Sequence, residues 1–174
     1  MKKKIDLGIT VEDVLKFFWL AKENGWASGK VDVKKDRFNP NLKRIVFQKE
    51  RFFYQDKYWV TPVSNSSAGT TTILFLYNRI WIPVWWMSYG GEYPKEVIPF
   101  LKEALMENIR LKQFKGGRGR CFFENSNYPD LTYLNGDTGD FSSFRGRESI
   151  YKGFNISSTK KELGFHTYQG MSLI

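Results

Sequence analysis

A single cysteine and a single histidine stand among 174 residues. One cysteine cannot close an intramolecular disulfide or build a cysteine-based zinc cage, and one histidine excludes the two-histidine metal motifs. No apolar run reaches the ~18 residues that a membrane span needs. Acid is scarce relative to base, with 18 Asp and Glu against 27 Lys and Arg, for a formal net charge of +9. The opening Met1-Lys2-Lys3-Lys4-Ile5-Asp6 carries the charge of a signal-peptide n-region, but Asp6 and Gly8 interrupt the apolar segment that should follow. These absences lead to the expectation of a reduced, cytoplasmic, globular protein with no cofactor and no metal site.

Aromatic residues are abundant: 15 Phe, 9 Tyr and 6 Trp. With 41% hydrophobic residues they can fill a sizeable core, which argues against disorder. Residues 52–89 alone hold 11 of these 30 rings. The basic excess is concentrated in two stretches. Lys30 to Arg51 carries eight basic and three acidic side chains, and Arg110 to Arg120 carries five basic and no acidic ones. Such a balance attracts polyanions or phosphorylated small molecules, and it also serves plain solubility.

Residues 11–24 read as an amphipathic helix. Thr10 is placed to cap it, Glu12 and Asp13 suit its first turn, and Val11, Val14, Leu15, Phe18 and Ala21 follow the helical spacing up to Gly25. A polar connector runs to Pro40. Strand-like runs follow at 43–48 and 52–59, then a Ser/Asn loop at 63–69, then runs at 70–77 and 80–89 around a tight turn at Asn78-Arg79. Pro83 cannot donate to a sheet ladder and predicts an edge or a bulge. A second helix is predicted over 94–111, opening on Pro94, with further strand pieces at 120–124, 131–134, 148–151 and 163–168. The Gly/Asp-rich segment 135–140 reads as a turn between them.

Residues 1–91 and 92–174 thus share one order, a helix followed by four strand-like runs, within a single domain. Their ends are alike, Trp86-Met87-Ser88-Tyr89-Gly90-Gly91 against Phe165-His166-Thr167-Tyr168-Gln169-Gly170-Met171. The expectation is an α+β fold of two similar helix-plus-antiparallel-sheet halves, as an internal duplication produces.

Several of these segments resemble a bacterial domain of unknown function, DUF5680. Phe18-Trp19-Leu20-Ala21-Lys22-Glu23-Asn24-Gly25-Trp26-Ala27-Ser28-Gly29 resembles its opening, Arg51–Tyr58 its second strand, and Ile80–Gly91 its valine-tryptophan-aromatic signature ending in Tyr-Gly. Gly139-Asp140-Phe141, Phe144-Arg145-Gly146-Arg147-Glu148 and Tyr168-Gln169-Gly170 resemble its second half. Two loops depart from the family: Lys30–Lys35 is basic where the family is acidic and glycine-rich, and Ser64–Gly69 replaces a Gly-Gly segment. The resemblance implies no assigned chemistry. Family members are often fused behind a helix-turn-helix domain, which implies a sensor; no such domain is expected within these 174 residues.

The candidates for chemistry are few. Arg120-flanked Cys121 with His166 could form a thiolate pair, although a buried structural cysteine is the favoured reading. Glu124, Asp137, Asp140 and Glu148 form an acidic set without a metal-motif spacing; Asp137 and Asp140 sit where Asp caps turns, and Glu148 could pair with Arg145 or Arg147. Gly116-Gly117-Arg118-Gly119-Arg120 reads as a solvated turn or as an anion-contacting Arg-Gly box. Aromatic faces beside cations can stack bases. The resulting expectation is a non-enzymatic protein that binds a phosphorylated small molecule, a nucleotide foremost, as a sensor or a sequestering protein. Its site would be built from Trp26, Tyr54, Tyr58, Trp59, Arg118 and Arg120, with no catalytic residue. Nucleic-acid binding along the two basic stretches is the second expectation, and a metal-dependent or cysteine-based hydrolase the third. No membrane partner is expected, and a homo-oligomer is left open.

Overall fold

The computed structural model describes residues 5–31, 33–153 and 161–174; Lys2–Lys4 and Asp32, part of the basic charge reading above, lie outside them. Helix α1 spans Val11–Glu23. Its start is a full capping box: the Thr10 hydroxyl accepts from the Asp13 amide at 3.2 Å and the Asp13 carboxylate accepts from the Thr10 amide at 2.9 Å. Val14, Phe17, Phe18, Trp19 and Ala21 are buried along it. A 3₁₀ turn at Trp26–Ser28 follows.

Among the described residues, nine antiparallel strands form one open sheet. They are β1 (Lys34–Lys35), β2 (Leu42–Lys49), β3 (Phe52–Val60), β4 (Ser66–Tyr77), β5 (Ile80–Glu92), β6 (Phe122–Phe123), β7 (Leu131–Asp140), β8 (Ser143–Lys152) and β9 (Lys161–Ser172). Their order is β1-β2-β3-β4-β5-β9-β8-β7-β6, so two meanders meet at β5 and β9, where Tyr89 lies opposite Tyr168. The expected α+β class is therefore met.

Several boundaries move from the sequence reading. Residues 135–140 are strand, not turn; the turn is at Phe141-Ser142, where Asp140 Oδ1 accepts from the amides of Ser142 and Ser143. Strand β4 starts at Ser66, inside the expected loop, because β3 and β5 supply ladder partners on both sides of it. Pro83 sits at a bulge: Ile73 pairs with Trp85 and Leu74 with Pro83, leaving Val84 as the extra residue. Asn78 and Arg79 both take positive φ, 46° and 66°, as a two-residue hairpin turn requires. Helix α2 spans Ile98–Leu111, behind a 3₁₀ turn at Lys95–Val97 that Pro94 precedes. It starts later than expected because Pro99 has no amide hydrogen to give to the Lys95 carbonyl.

Both helices cover one face of the sheet. Phe18 of α1 packs on Trp85 and Phe141, with ring centroids 5.2 and 5.6 Å away. Phe100, Leu101, Ala104 and Leu105 of α2 form a second cluster with Tyr133 and Ile150. The opposite face leaves Trp59 and Trp81 exposed.

Candidate functional site

A cavity of about 650 Å³ opens on the helix-covered face, between the end of α1, α2 and strands β2–β5. That is the size of a small-molecule site. Trp26, Ile98, Leu101, Leu105 and Ile109 form an apolar wall, and Tyr54, Asp56, Tyr58, Tyr89, Tyr93, Arg118 and His166 form a polar one. Lys22, Lys35, Lys43 and Lys95 also line it, and none makes an ion pair with an acid among the described residues. The Lys43 ammonium lies 5.9 Å from the Tyr58 ring centroid, and that of Lys102 4.8 Å from the Trp26 ring.

Behind the polar wall lies a buried ion pair. Arg118, 9% exposed, donates to Glu148 Oε1 from Nε at 2.9 Å and from Nη2, and Glu148 is fully buried. The Tyr133 hydroxyl donates to Glu148 Oε2 at 2.5 Å. Burial opposes ionisation of Glu148, but the Arg118 charge and hydrogen bonds, His166 and Tyr133 outweigh it and hold the carboxyl below its ordinary value. His166 Nδ1 lies 3.4 Å from Arg118 Nη2, and its Nε2 lies 3.1 Å from Ser67 Oγ. Burial first, then the Arg118 charge, push the imidazole pKa down to about 4 against the pull of Glu148, so it is neutral at pH 7.

The sheet register explains how these groups meet. Asn135, Glu148, His166, Gly91 and Ser67 occupy one line across five strands, from β7 to β4. Gly91 lies between His166 and Ser67, and a Cβ there would meet the imidazole Cδ2 at 2.9 Å; the bare strand lets the ring reach across it. The same device recurs twice. Tyr89 on β5 crosses Gly69 on β4 and donates to Asp56 on β3 at 2.8 Å, and a Cβ on Gly69 would lie 2.6 Å from its hydroxyl. Tyr168 on β9 crosses Gly146 on β8 and donates to Asn135 on β7 at 2.6 Å, and a Cβ on Gly146 would lie 2.3 Å from its hydroxyl.

Comparison with protein-family models, with curated proteins and with solved structures finds no match. The chemistry is therefore read from the site itself. Ser67, His166 and Glu148 follow the order of a serine–histidine–acid triad, but the geometry disarms it. Arg118 donates toward Nδ1 and occupies Glu148 Oε1, so the neutral ring assigned from these neighbours carries its hydrogen on Nε2. That nitrogen donates to Ser67 and has no lone pair to take the serine proton. Cys121 is exposed, not the buried structural cysteine expected, and it is not among the contacts of His166. Glu148 pairs with Arg118 rather than with Arg145 or Arg147, while Arg147 pairs with Glu162. Glu124 accepts from Thr132, and no cluster of His, Cys, Asp or Glu suited to a metal ion occurs among the described residues.

Of the residues singled out from sequence, Trp26, Tyr54, Tyr58 and Arg118 line this cavity together. Trp59 and Arg120 do not. Trp59 follows Tyr58 on β3, so strand alternation turns it to the other face, where it lines a separate depression. Arg120 reaches Glu107 at 3.9 Å on the surface. The 116–119 segment is buried, not a solvated turn. A Cβ on Gly116 would lie 2.1 Å from the Tyr168 ring and one on Gly119 2.6 Å from the Tyr133 ring, so its glycines accommodate aromatic rings rather than a phosphate.

Lys22 and Asp56 were missed, and both left a signal. Lys22 stands four residues after Phe18 on the apolar stripe of α1, with its ammonium 5.7 Å from the Phe18 ring. Asp56 alternates with Tyr54 and Tyr58 on the inward face of β3. Burial raises the Asp56 pKa, against the hydrogen bond from Tyr89, the charge of Lys22 and the bond from Thr71. Lys22 keeps part of its surface open, yet desolvation and then the Arg118 charge lower its pKa from 10.5 to about 8, despite Asp56 and Glu148. The folded state thus releases this proton before the unfolded chain does, and stability contributed by Lys22 rises as pH increases from about 8 to 10.5. Tyrosines whose folded pKa values are raised by burial, Tyr54, Tyr58, Tyr89, Tyr93, Tyr133 and Tyr168, act in the opposite sense as pH nears 10. Urea unfolding between pH 7.5 and 9 is therefore where the wild type is expected to rise more steeply than Lys22→Met; equal slopes there would refute it.

Proposed function

We propose that this protein binds a phosphorylated small molecule, a nucleotide foremost, in the cavity, as a cytoplasmic sensor or sequestering protein rather than as an enzyme. One observation carries the reading: four lysines that make no ion pair among the described residues border a cavity whose facing wall is apolar and aromatic. The cations attract a phosphate, and Trp26 with Ile98 and Leu101 offers surface to a base. The nucleic-acid reading is weaker because the 110–120 stretch is largely neutralised: Arg110 and Arg120 pair with Glu107, Lys112 with Glu23 and Arg118 with Glu148.

We also infer kinship with DUF5680 and a duplicated origin of the two halves. Two parallel side-chain crossings support the duplication, Tyr89 over Gly69 to Asp56 and Tyr168 over Gly146 to Asn135. They place a tyrosine, a glycine and an Asp or Asn at matching strands of the two meanders.

Calorimetry against a panel of nucleoside mono-, di- and triphosphates at 50 and 200 mM salt tests the binding reading. At least one nucleotide is expected to bind, with affinity falling less than about ten-fold between the two salts, and Trp26→Ala or Lys43→Gln with Lys95→Gln weakening it about ten-fold. A fall of ~10³-fold or more, together with a gel shift on mixed DNA or RNA, would point to nucleic acid instead. Silence from the whole panel would overturn the nucleotide reading.

A further inference from the structure

The inner end of the cavity holds polar atoms that the protein itself leaves unused. The Tyr93 hydroxyl is buried in a side chain only 5% exposed, feels the Glu148 carboxylate, and has no partner at full hydrogen-bond geometry among the described residues. Such an orphan is uncommon, because a buried polar group without a partner is costly. Asp56 takes both of its bonds on Oδ1, from the Thr71 hydroxyl at 3.2 Å and the Tyr89 hydroxyl at 2.8 Å, and Oδ2 accepts none among the described residues. Arg118 spends Nε and Nη2 on Glu148, and Nη1 donates to nothing among the described residues.

These three groups belong to one continuous array. The Arg118 guanidinium lies 5.6 Å from the centroid of the Tyr89 ring, whose hydroxyl holds Asp56. The Tyr93 ring meets the His166 imidazole edge-on at 4.9 Å, and that imidazole lies 3.4 Å from Arg118. A guanidinium and a phenol are donors for an anion. A carboxylate oxygen beside them repels an anion and needs a neutral donor. A phosphate alone, or an apolar group alone, leaves part of this array unsatisfied. A ligand that carries both an anionic group and a neutral hydroxyl, as a sugar phosphate does, has the matching chemistry.

Resting on the nucleotide reading above, we propose that this inner subsite holds the ribose-phosphate portion of the ligand. Arg118 Nη1 and the Tyr93 hydroxyl donate to the phosphate, and Asp56 Oδ2 accepts from the ribose 2′-hydroxyl. The site therefore selects ribonucleotides over 2′-deoxyribonucleotides. A binding group built to hydrogen-bond a substrate hydroxyl rejects the analogue that lacks it. The burial that raises the Asp56 pKa and keeps Tyr93 protonated makes each of these bonds more discriminating.

Calorimetry of the full chain with AMP, GMP, CMP and UMP against their 2′-deoxy counterparts tests the subsite. The best-bound ribonucleotide is expected to exceed its deoxy partner by about ten-fold or more. Asp56→Asn keeps an oxygen for Thr71 and Tyr89 but turns the free acceptor into a donor, and it is expected to shrink the preference below about three-fold. Tyr93→Phe removes a hydroxyl with no well-formed hydrogen bond among the described residues, so the unfolding temperature should change little while both nucleotides bind about ten-fold more weakly. Equal or reversed affinities, a preference that follows the base instead of the sugar, or one that survives Asp56→Asn overturns the subsite and leaves the nucleotide reading standing. Binding of no nucleotide at all overturns both.

Discussion

Glu148→Ala is expected to destabilise the fold by about 3–5 kcal/mol, because it strands the buried Arg118 guanidinium without a counter-charge. The Tyr133 hydroxyl also loses its acceptor. The attraction of such a pair is nearly cancelled by the desolvation of both ions, so the loss measures the cost of an unpaired buried charge and not the worth of the pair. The double change Arg118→Met with Glu148→Leu removes both charges and is expected to recover most of the loss. Surface pairs give the contrast. Arg147–Glu162 is 43% and 33% exposed, and Arg147→Ala is expected to cost under about 1 kcal/mol. Urea titrations of the four proteins check the ranking. A loss below ~1 kcal/mol for Glu148→Ala, or a double variant no better than the single one, would contradict it.

Acid is expected to weaken the protein in a window that belongs to one side chain. His166 is the chain's sole histidine. Its folded pKa is depressed from 6.5 to about 4, so between those values the unfolded chain binds a proton that the folded protein refuses. Stability contributed by this group is intact above about pH 6.5, falls as pH drops, and has lost roughly 3 kcal/mol once pH reaches 4. Glu148 acts in the same direction at lower pH, because its depressed folded pKa makes the unfolded carboxylate take its proton first. Asp56 acts oppositely: its folded pKa is raised, so the folded protein gains a proton before the unfolded chain, which offsets part of the acid loss. In the upper part of the window, from pH 6.5 to 5, ordinary carboxylates stay largely ionised, and the comparison with a histidine-free variant separates the imidazole from Asp56. Unfolding free energies measured at intervals through this range should fall more steeply with acid in the wild type than in His166→Asn. An unchanged slope in the variant would show that His166 is not held neutral by its surroundings.

Local chemistry alone was enough to read α1. Its capping box lies within four residues and its stripe repeats every three or four, so Thr10 and the buried face were legible before any tertiary contact formed. The hairpin turn at Asn78-Arg79 and the bulge at Pro83 were legible for the same reason, since φ preference and a missing amide are properties of single residues. Half of the site followed from composition: aromatic rings on β3 and a basic balance pointed toward the wall that Tyr54, Tyr58 and Lys43 form.

The rest depended on which distant strands met. Arg118 stood in a glycine-rich, basic stretch that looks solvated from sequence, and only the docking of Tyr168 and Tyr133 against those glycines buries it. Its partner lies 30 residues away, and Ser67 and His166 are separated by 99. The β5–β9 register that aligns Ser67, Gly91, His166 and Glu148 is selected by packing across the whole sheet, and a slip of one residue would turn each of these side chains to the opposite face. Residue type by itself determined the elements and the cationic, aromatic character of this protein. Tertiary structure decided which charges were buried and paired and which were left facing the cavity, because desolvation acts on a group's final surroundings and not on its neighbours in the chain.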